Sequence, residues 1–423
     1  MQMWYIINTM RRVRLGIIGA GAVTEWAILP ALSGPDAVSP PDTGAWWSRR
    51  PSSHSVIRYQ APSLPEVVAI ADVEPERAER VAQAARVRAA YGDWRRMLRE
   101  VQIDALICAA TPEIAGEVAI AANSAVNWLW VYGPPSASVT GTLRLTQRLE
   151  GRALHIWCAR PLRYAAAHRA ARQLLEREEI GAVSALTLRW GTSLYVPDKA
   201  ESEGALAPDD ALHLSSAYAA FDLLLGLGSH QNGSAVPVRV LAHEMNRATT
   251  LQVHFASGLA ATALFAGAES WNSPLPRLEI CGTEGRSIIC EAGRRLWLHK
   301  PQEATRFMEP PGLATHVSTA NLIGVAEDLK TFLAACVEDI AADGVKREPS
   351  VEFNAAAMPV GAARALQILE AAADSLANHQ MVDIQPLREA NRRQVMESVA
   401  PDIGEEVKKN RQDDVSYTLP LQL

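Results

Sequence analysis

Six residues near the start of the chain, Gly19-Ala20-Gly21-Ala22-Val23-Thr24, have the types and spacing of a phosphate cradle. Glycine at 19 permits a tight turn, and glycine at 21 lets a pyrophosphate approach the backbone at the N-terminus of the following helix, which opens at Ala22 and Val23. Thr24 stands where a third glycine or alanine belongs. The second chemical position is Asp72, which ends an apolar run. A carboxylate there accepts hydrogen bonds from an adenosine ribose and repels a 2′-phosphate, so the expected cofactor is NAD rather than NADP. Asp72 lies 51 residues past Gly21, against a usual gap of ~20. A Pro- and Ser-rich insertion over 33–65, carrying Trp46 and Trp47, accounts for the excess.

These groups need elements to position them. Residues 13–18 (VRLGII) read as a buried strand, and the glycine turn and a helical EWAILPAL follow at once. Further strands are expected at 66–71, 103–109, 127–132 and 153–158, with helices from Pro75, near 113–123 and at 138–150. Alternating strands and helices indicate a doubly wound parallel sheet, a Rossmann domain over 13–158. The insertion joins a helix to the next strand, so it should leave the end of that sheet opposite the cofactor crevice. A helix ending at Gly181 then gives way to period-two stretches at 183–195, 236–244, 249–256, 259–266, 277–281, 286–290 and 294–299, interrupted by a helical segment near 210–227. This pattern predicts a second α/β domain over 159–386 with a large, mainly antiparallel open sheet. Helices return at 321–342 and 355–377. Residues 1–12 read as an N-terminal extension and 387–423 as a charged arm.

Composition narrows the function classes. The 423 residues are 48% hydrophobic and 21% charged, which describes a globular chain. The 41 Lys+Arg against 47 Asp+Glu leave a net charge of −6, which argues against nucleic acid or an anionic membrane as partner. Five cysteines without a CxxC pair exclude a zinc ribbon and a dense disulfide framework, so no metal site is expected and reduced, cytoplasmic thiols are. The basic set is lopsided, 6 Lys to 35 Arg, so any catalytic lysine must be one of six.

The segments VRLGIIGAGAVTEWAILPAL, VVAIADVEPERAERVA, DALICAATPEIAGEVAIAA, RYAAAHRAARQLLEREEIG and GLAATALFAG, in this order and spacing, resemble the Gfo/Idh/MocA oxidoreductases. The resemblance covers roughly residues 13–386. It implies NAD(P)-dependent hydride transfer on a small sugar, cyclitol or related carbonyl or alcohol, and a homo-oligomer built through the C-terminal sheet. It also implies cofactor contact at Thr111-Pro112.

Two motifs carry the chemistry in that family, and this sequence departs from both. The first places a lysine beside the nicotinamide at the end of a Rossmann strand. Here strand 127–132 runs into Tyr132-Gly133-Pro134-Pro135, and Gly133 offers neither charge nor proton. Arg160 and Arg163, after the next strand, could restore positive charge, although an arginine cannot shuttle a proton. Tyr132, Gly133, Arg160 and Arg163 are the candidate substrate-pocket residues. The second motif is Asp-x-x-x-His, whose histidine is the expected general base. One alignment supplies Asp209 and His213. The other matches Asp222 to the family's later aspartate and puts Ser215 and Ala219 in the pair's positions. A non-catalytic NAD(P)- or ligand-sensing protein is the alternative to an enzyme.

Overall fold

Two sheets organise the chain in the computed structural model, which describes residues 13–33, 65–122, 125–150, 152–192, 194, 208–232, 235–246, 248–267, 276–310, 324–341 and 357–387. The insertion, with Trp46 and Trp47, the N-terminal extension and nearly all of the C-terminal arm lie outside these residues. The chain divides into a unit ending at Ile384 and a short segment, Gln385–Leu423.

The first sheet contains β1 (Arg14–Ile18), β2 (Glu66–Ala71), β3 (Ala89–Tyr91), β4 (Ala105–Cys108), β5 (Trp128–Val131) and β6 (His155–Cys158), all parallel, in the order β3-β2-β1-β4-β5-β6. The helical connections are a π-helical turn, Thr24–Ile28, running on into α1 (Leu29–Ser33), then α2 (Pro75–Ala84), α3 (Trp94–Glu100), α4 (Pro112–Ala122) and α5 (Val139–Arg148). Both faces are covered, which is why β4 and β5 are apolar and buried at every position. The strand order reverses direction between β1 and β4, which opens a crevice at the carboxyl ends of these two strands. Ser33 and Pro65, which flank the insertion, bracket the opposite end: the Glu66 N–H donates to Val13 O at the start of β1.

After β6 come α6 (Pro161–Tyr164), α7 (Ala166–Glu176), β7 (Ala185–Trp190) and a 25-residue helix, α8 (Pro208–Asn232). Residues 214–225 of α8 are buried all round, so this helix is packed on every side rather than along one stripe. Strands β8 (Pro237–Met245), β9 (Ala248–Phe255), β10 (Ala260–Ala266), β11 (Arg277–Cys281), β12 (Ser287–Glu291), β13 (Arg295–His299) and β14 (Arg306–Met308) follow. Helices α9 (Val325–Ala341) and α10 (Ala357–Asn378) and a final β15 (Val382–Asp383) complete the described chain. The second sheet has nine strands in the order β14-β13-β12-β11-β7-β10-β9-β8-β15, antiparallel except for β10 beside β7. Its strands alternate buried and part-exposed residues, as one-sided packing requires.

Helix α9 comes late in the chain yet packs on the first sheet. Val325, Leu329, Phe332 and Cys336 join one core with Leu15, Ile17, Trp128, Trp130 and Trp157. The core of the first sheet therefore includes residues from far beyond β6 in the chain. All five cysteines are free.

Candidate functional site

The crevice starts at Gly19, whose φ is +93°. A Cβ there would strike the carbonyl of Ala109 at the end of β4, so glycine is required by conformation and by contact. Gly21 differs: a Cβ built on it meets nothing within 4 Å, which leaves open space over the backbone where the helix begins. Thr24, in the third position, is buried, and its hydroxyl donates to Gly19 O at 2.5 Å. The helix winds with π geometry from this residue, Leu29 N–H donating to Thr24 O. The bulkier side chain is thus taken up by a wider turn and a hydrogen bond back to the cradle.

Asp72 supports the same loop from β2. Its Oδ2 accepts the Ala20 N–H at 2.6 Å, and its Oδ1 accepts the Glu74 N–H at 2.9 Å and Arg77 Nη2 at 2.7 Å. Burial pushes its carboxyl up, but Arg77 and the two N–H groups outweigh that and hold it below the ordinary aspartate range. An open backbone at Gly21, a forced turn at Gly19 and a carboxylate beneath the loop fit the pyrophosphate and ribose of a dinucleotide. Thr111 and Pro112, at the start of α4, follow Ala109, whose N–H donates to Ile18 O at 2.8 Å. They therefore stand across the crevice from the cradle.

One strand further, Tyr132 and Gly133 extend β5. The Tyr132 N–H donates to Cys108 O, and burial raises its phenol well above the ordinary range. Gly133 also has φ +93°, and a Cβ there would run into the Ser215 hydroxyl of α8, with Ser215 Cβ at 3.1 Å. The Ser215 hydroxyl itself donates to Ala211 O at 2.9 Å. His213 is half-buried on the same helix. Two residues are roughly 200° of helical turn, so His213 points away from the side that meets Gly133. Ala219, one turn beyond Ser215, is buried. Asp209 falls in the first turn of α8.

Arg160 and Arg163 have different fates. Arg163 Nε and Nη2 clamp the buried carboxylate of Asp222 at 2.5 and 2.7 Å, and Nη2 also reaches the Asp222 carbonyl. Gly226 leaves room for that guanidinium, whose Cζ would lie 2.7 Å from a Cβ. Arg160 has no ion pair among the described residues. Its Nε is buried without a partner, its Nη2 reaches only the Tyr164 hydroxyl at 3.4 Å, and its guanidinium carbon lies 5.7 and 5.9 Å from the Trp157 and Tyr164 rings. Burial opposes its charge, but Tyr164, Asp222 and Asp328 hold it above the usual arginine range. Val131 and Cys158 are partners in the sheet register, and Gly133 and Arg160 each lie two residues beyond. Both therefore stand at the same end of the sheet, on neighbouring strands.

Asp328 of α9 was not singled out in the sequence. It is fully buried and accepts hydrogen bonds from Trp130 Nε1 (3.1 Å), Trp157 Nε1 (2.9 Å) and the Arg160 N–H (3.2 Å). Burial pushes its carboxyl up to about 7, against the pull of these donors and of the Arg160 charge. The sequence signal was the tryptophans themselves, since a buried indole N–H needs an acceptor.

Residues 13–178 match the family model of the Gfo/Idh/MocA oxidoreductases, described as an oxidoreductase family with an NAD-binding Rossmann fold. Among curated proteins none matches this sequence. Among solved structures, a dehydrogenase from Chromobacterium violaceum is 18% identical with a TM-score of 0.65, over 91% of this chain and 100% of that one. A levoglucosan dehydrogenase in complex with NADH and L-sorbose is 16% identical with a TM-score of 0.63, over 89% of this chain and 100% of the other. A myo-inositol 2-dehydrogenase from Lactobacillus plantarum is 16% identical with a TM-score of 0.61, again over 89% and 100%. At such identities the likeness to these structures is one of fold. No helix among the described residues is long and apolar enough to cross a membrane. Residues 13–178, which carry the glycine turn, the crevice and Asp72, thus match the Gfo/Idh/MocA oxidoreductase family model, and the chain shares its fold with these dehydrogenases.

Proposed function

We propose that the protein is an NAD-dependent oxidoreductase that transfers a hydride to or from a small sugar, cyclitol or related carbonyl compound, with acid–base groups unlike the family's usual pair. The observation that carries this reading is the cradle: a forced turn at Gly19, open space at Gly21 and Asp72 held under the loop. Bound there, the nicotinamide would supply the hydride acceptor or donor. Gly19 to Val23 would hold the pyrophosphate, and Thr111 and Pro112 would flank it. Asp72 supports NAD over NADP, because a carboxylate at the end of this strand would repel a 2′-phosphate. The levoglucosan and myo-inositol dehydrogenases of the same fold support the substrate class.

On this reading Gly133, Ser215 and Ala219 occupy the three positions that hold the family's lysine, aspartate and histidine, and Asp209 and His213 stand outside the reacting centre. The contact between Gly133 and Ser215 supports this register. Ser215 is bonded to Ala211 O and Ala219 has nothing to donate, so these positions shape the pocket without moving a proton. Such a site suits a carbonyl already activated toward hydride better than a simple alcohol. The same three residues favour a second reading, a sensor that binds NAD(H) and a ligand without turnover.

Fluorescence titration with NADH and NADPH, followed by turnover on sugars, cyclitols and activated carbonyl compounds, tests both. Turnover that survives in His213→Ala supports the proposed register; turnover lost in that variant restores His213 as the base. NADH binding without turnover favours the sensor. Absence of binding at millimolar nucleotide defeats both readings.

A further inference from the structure

Arg160, at the carboxyl end of the first sheet, makes no direct side-chain ion pair with any described residue. A guanidinium held partly out of water without a counter-ion is costly, and folded proteins leave one so when an anion from outside completes it. Both carboxylates near it are committed. Asp222 is clamped by both arms of Arg163, and Asp328 is occupied by two indoles and the backbone N–H of Arg160 itself. Trp157 and Tyr164 flank the guanidinium, and the side chain keeps part of its exposure. A planar fork of donors in that setting matches a carboxylate, which it can take in two parallel hydrogen bonds.

We propose that Arg160 is a specificity-determining residue that binds a carboxylate on the substrate, so that the protein acts on an oxo or hydroxy acid rather than on a neutral sugar. This rests on the oxidoreductase reading and narrows it. A carbonyl beside a carboxylate is electron-poor, and the neighbouring strand end at Gly133 offers such a carbonyl no lysine to polarise it. The arginine positions the acid, and it exchanges no proton.

The test measures dissociation constants by calorimetry on the full-length, NADH-saturated protein with three matched pairs: 2-ketogluconate against fructose, glucuronate against glucose, and pyruvate against pyruvamide. In the wild type at least one acid binds about tenfold or more tighter than its neutral partner, and added salt weakens that preference. Arg160→Gln abolishes the preference while leaving NADH affinity unchanged. Arg160→Lys, which keeps the charge without the fork, retains part of it. Equal binding within all three pairs, or a preference that persists in Arg160→Gln, overturns the proposal and leaves the oxidoreductase reading standing. Failure of NADH to bind removes that reading and this inference with it.

Discussion

Putting a side chain at Gly133 should destabilise the protein even when that side chain is as small as a methyl group. Two costs add. The φ of +93° lies where an L-residue is strained, worth about 1–2 kcal/mol for a non-glycine residue. The new Cβ would also meet the Ser215 hydroxyl, with Ser215 Cβ at 3.1 Å, on a helix buried all round and unable to move far. Overpacking of that kind costs about 1–3 kcal/mol. Gly133→Ala should therefore lose ~2–5 kcal/mol in urea unfolding, seen as a lower midpoint at unchanged slope. Gly133→Lys should lose at least as much and gain no activity. A double-mutant cycle separates the two costs: Ser215→Gly in the Gly133→Ala background removes the contact and recovers its share, while the backbone strain of ~1–2 kcal/mol remains. If Gly133→Ala unfolds within 0.5 kcal/mol of wild type, about the spread of an indifferent substitution, the packing argument fails.

Two buried groups should give opposite pH slopes. The Asp328 carboxyl is raised to about 7 in the folded state, so the folded protein holds more protons from about pH 4 to 7 and stability from this group falls as pH rises, by up to ~1.4 kcal/mol per unit. Burial lowers His168 to about 4, so its contribution falls as pH drops below about 6.5. Asp328→Asn should remove the first slope relative to wild type and His168→Gln the second, in urea unfolding at pH 5, 6, 7 and 8; parallel profiles for the two variants would contradict the assignment. Arg163→Leu leaves the Asp222 carboxylate buried without its fork and should cost ~3–5 kcal/mol, most of it recovered by adding Asp222→Asn.

Much of the fold was legible because apolar runs of fixed period leave a direct trace. The strands expected at 66–71, 127–132, 249–256 and 277–281 and the helices at 321–342 and 355–377 are found within a few residues of those bounds. β3 was missed: its three residues, Ala89–Tyr91, carry no period and are only half-buried. The destination of α9 was not readable, since an amphipathic helix does not name the face that it covers. That answer lay in Trp128, Trp130 and Trp157, which find acceptors in Asp339 and Asp328. The cradle was legible from glycine spacing. The meaning of Gly133 was not, because a glycine in sequence does not declare whether it stands for lost chemistry or for a φ that excludes every other residue. Arg160 and Arg163 looked alike for the same reason: what separates them is Asp222, some sixty positions away, which occupies one and not the other.

Under the proposal that Arg160 takes a substrate carboxylate, the charge balance around it should make that binding pH-dependent. Arg160 and Arg163 bring two positive charges, and Asp222 cancels one through its clamp. Cys158, pushed up to about 12 by burial, and Tyr218, raised well above its ordinary range, stay neutral at working pH. Asp328 is the group facing Arg160 that changes charge near pH 7. With Asp328 ionised the cluster sums to zero, and with Asp328 protonated it carries one positive charge. A carboxylate ligand should therefore bind ~3–10-fold tighter at pH 5.5 than at pH 8.5, an interaction of about 1 kcal/mol across a part-buried gap. Asp328→Asn fixes the cluster in its positive state and should bind at the tighter level across the whole range, while the neutral partner of each acid shows no trend in either protein. Affinity for the acid that is flat with pH in the wild type, or a trend that persists in Asp328→Asn, would place the controlling charge elsewhere.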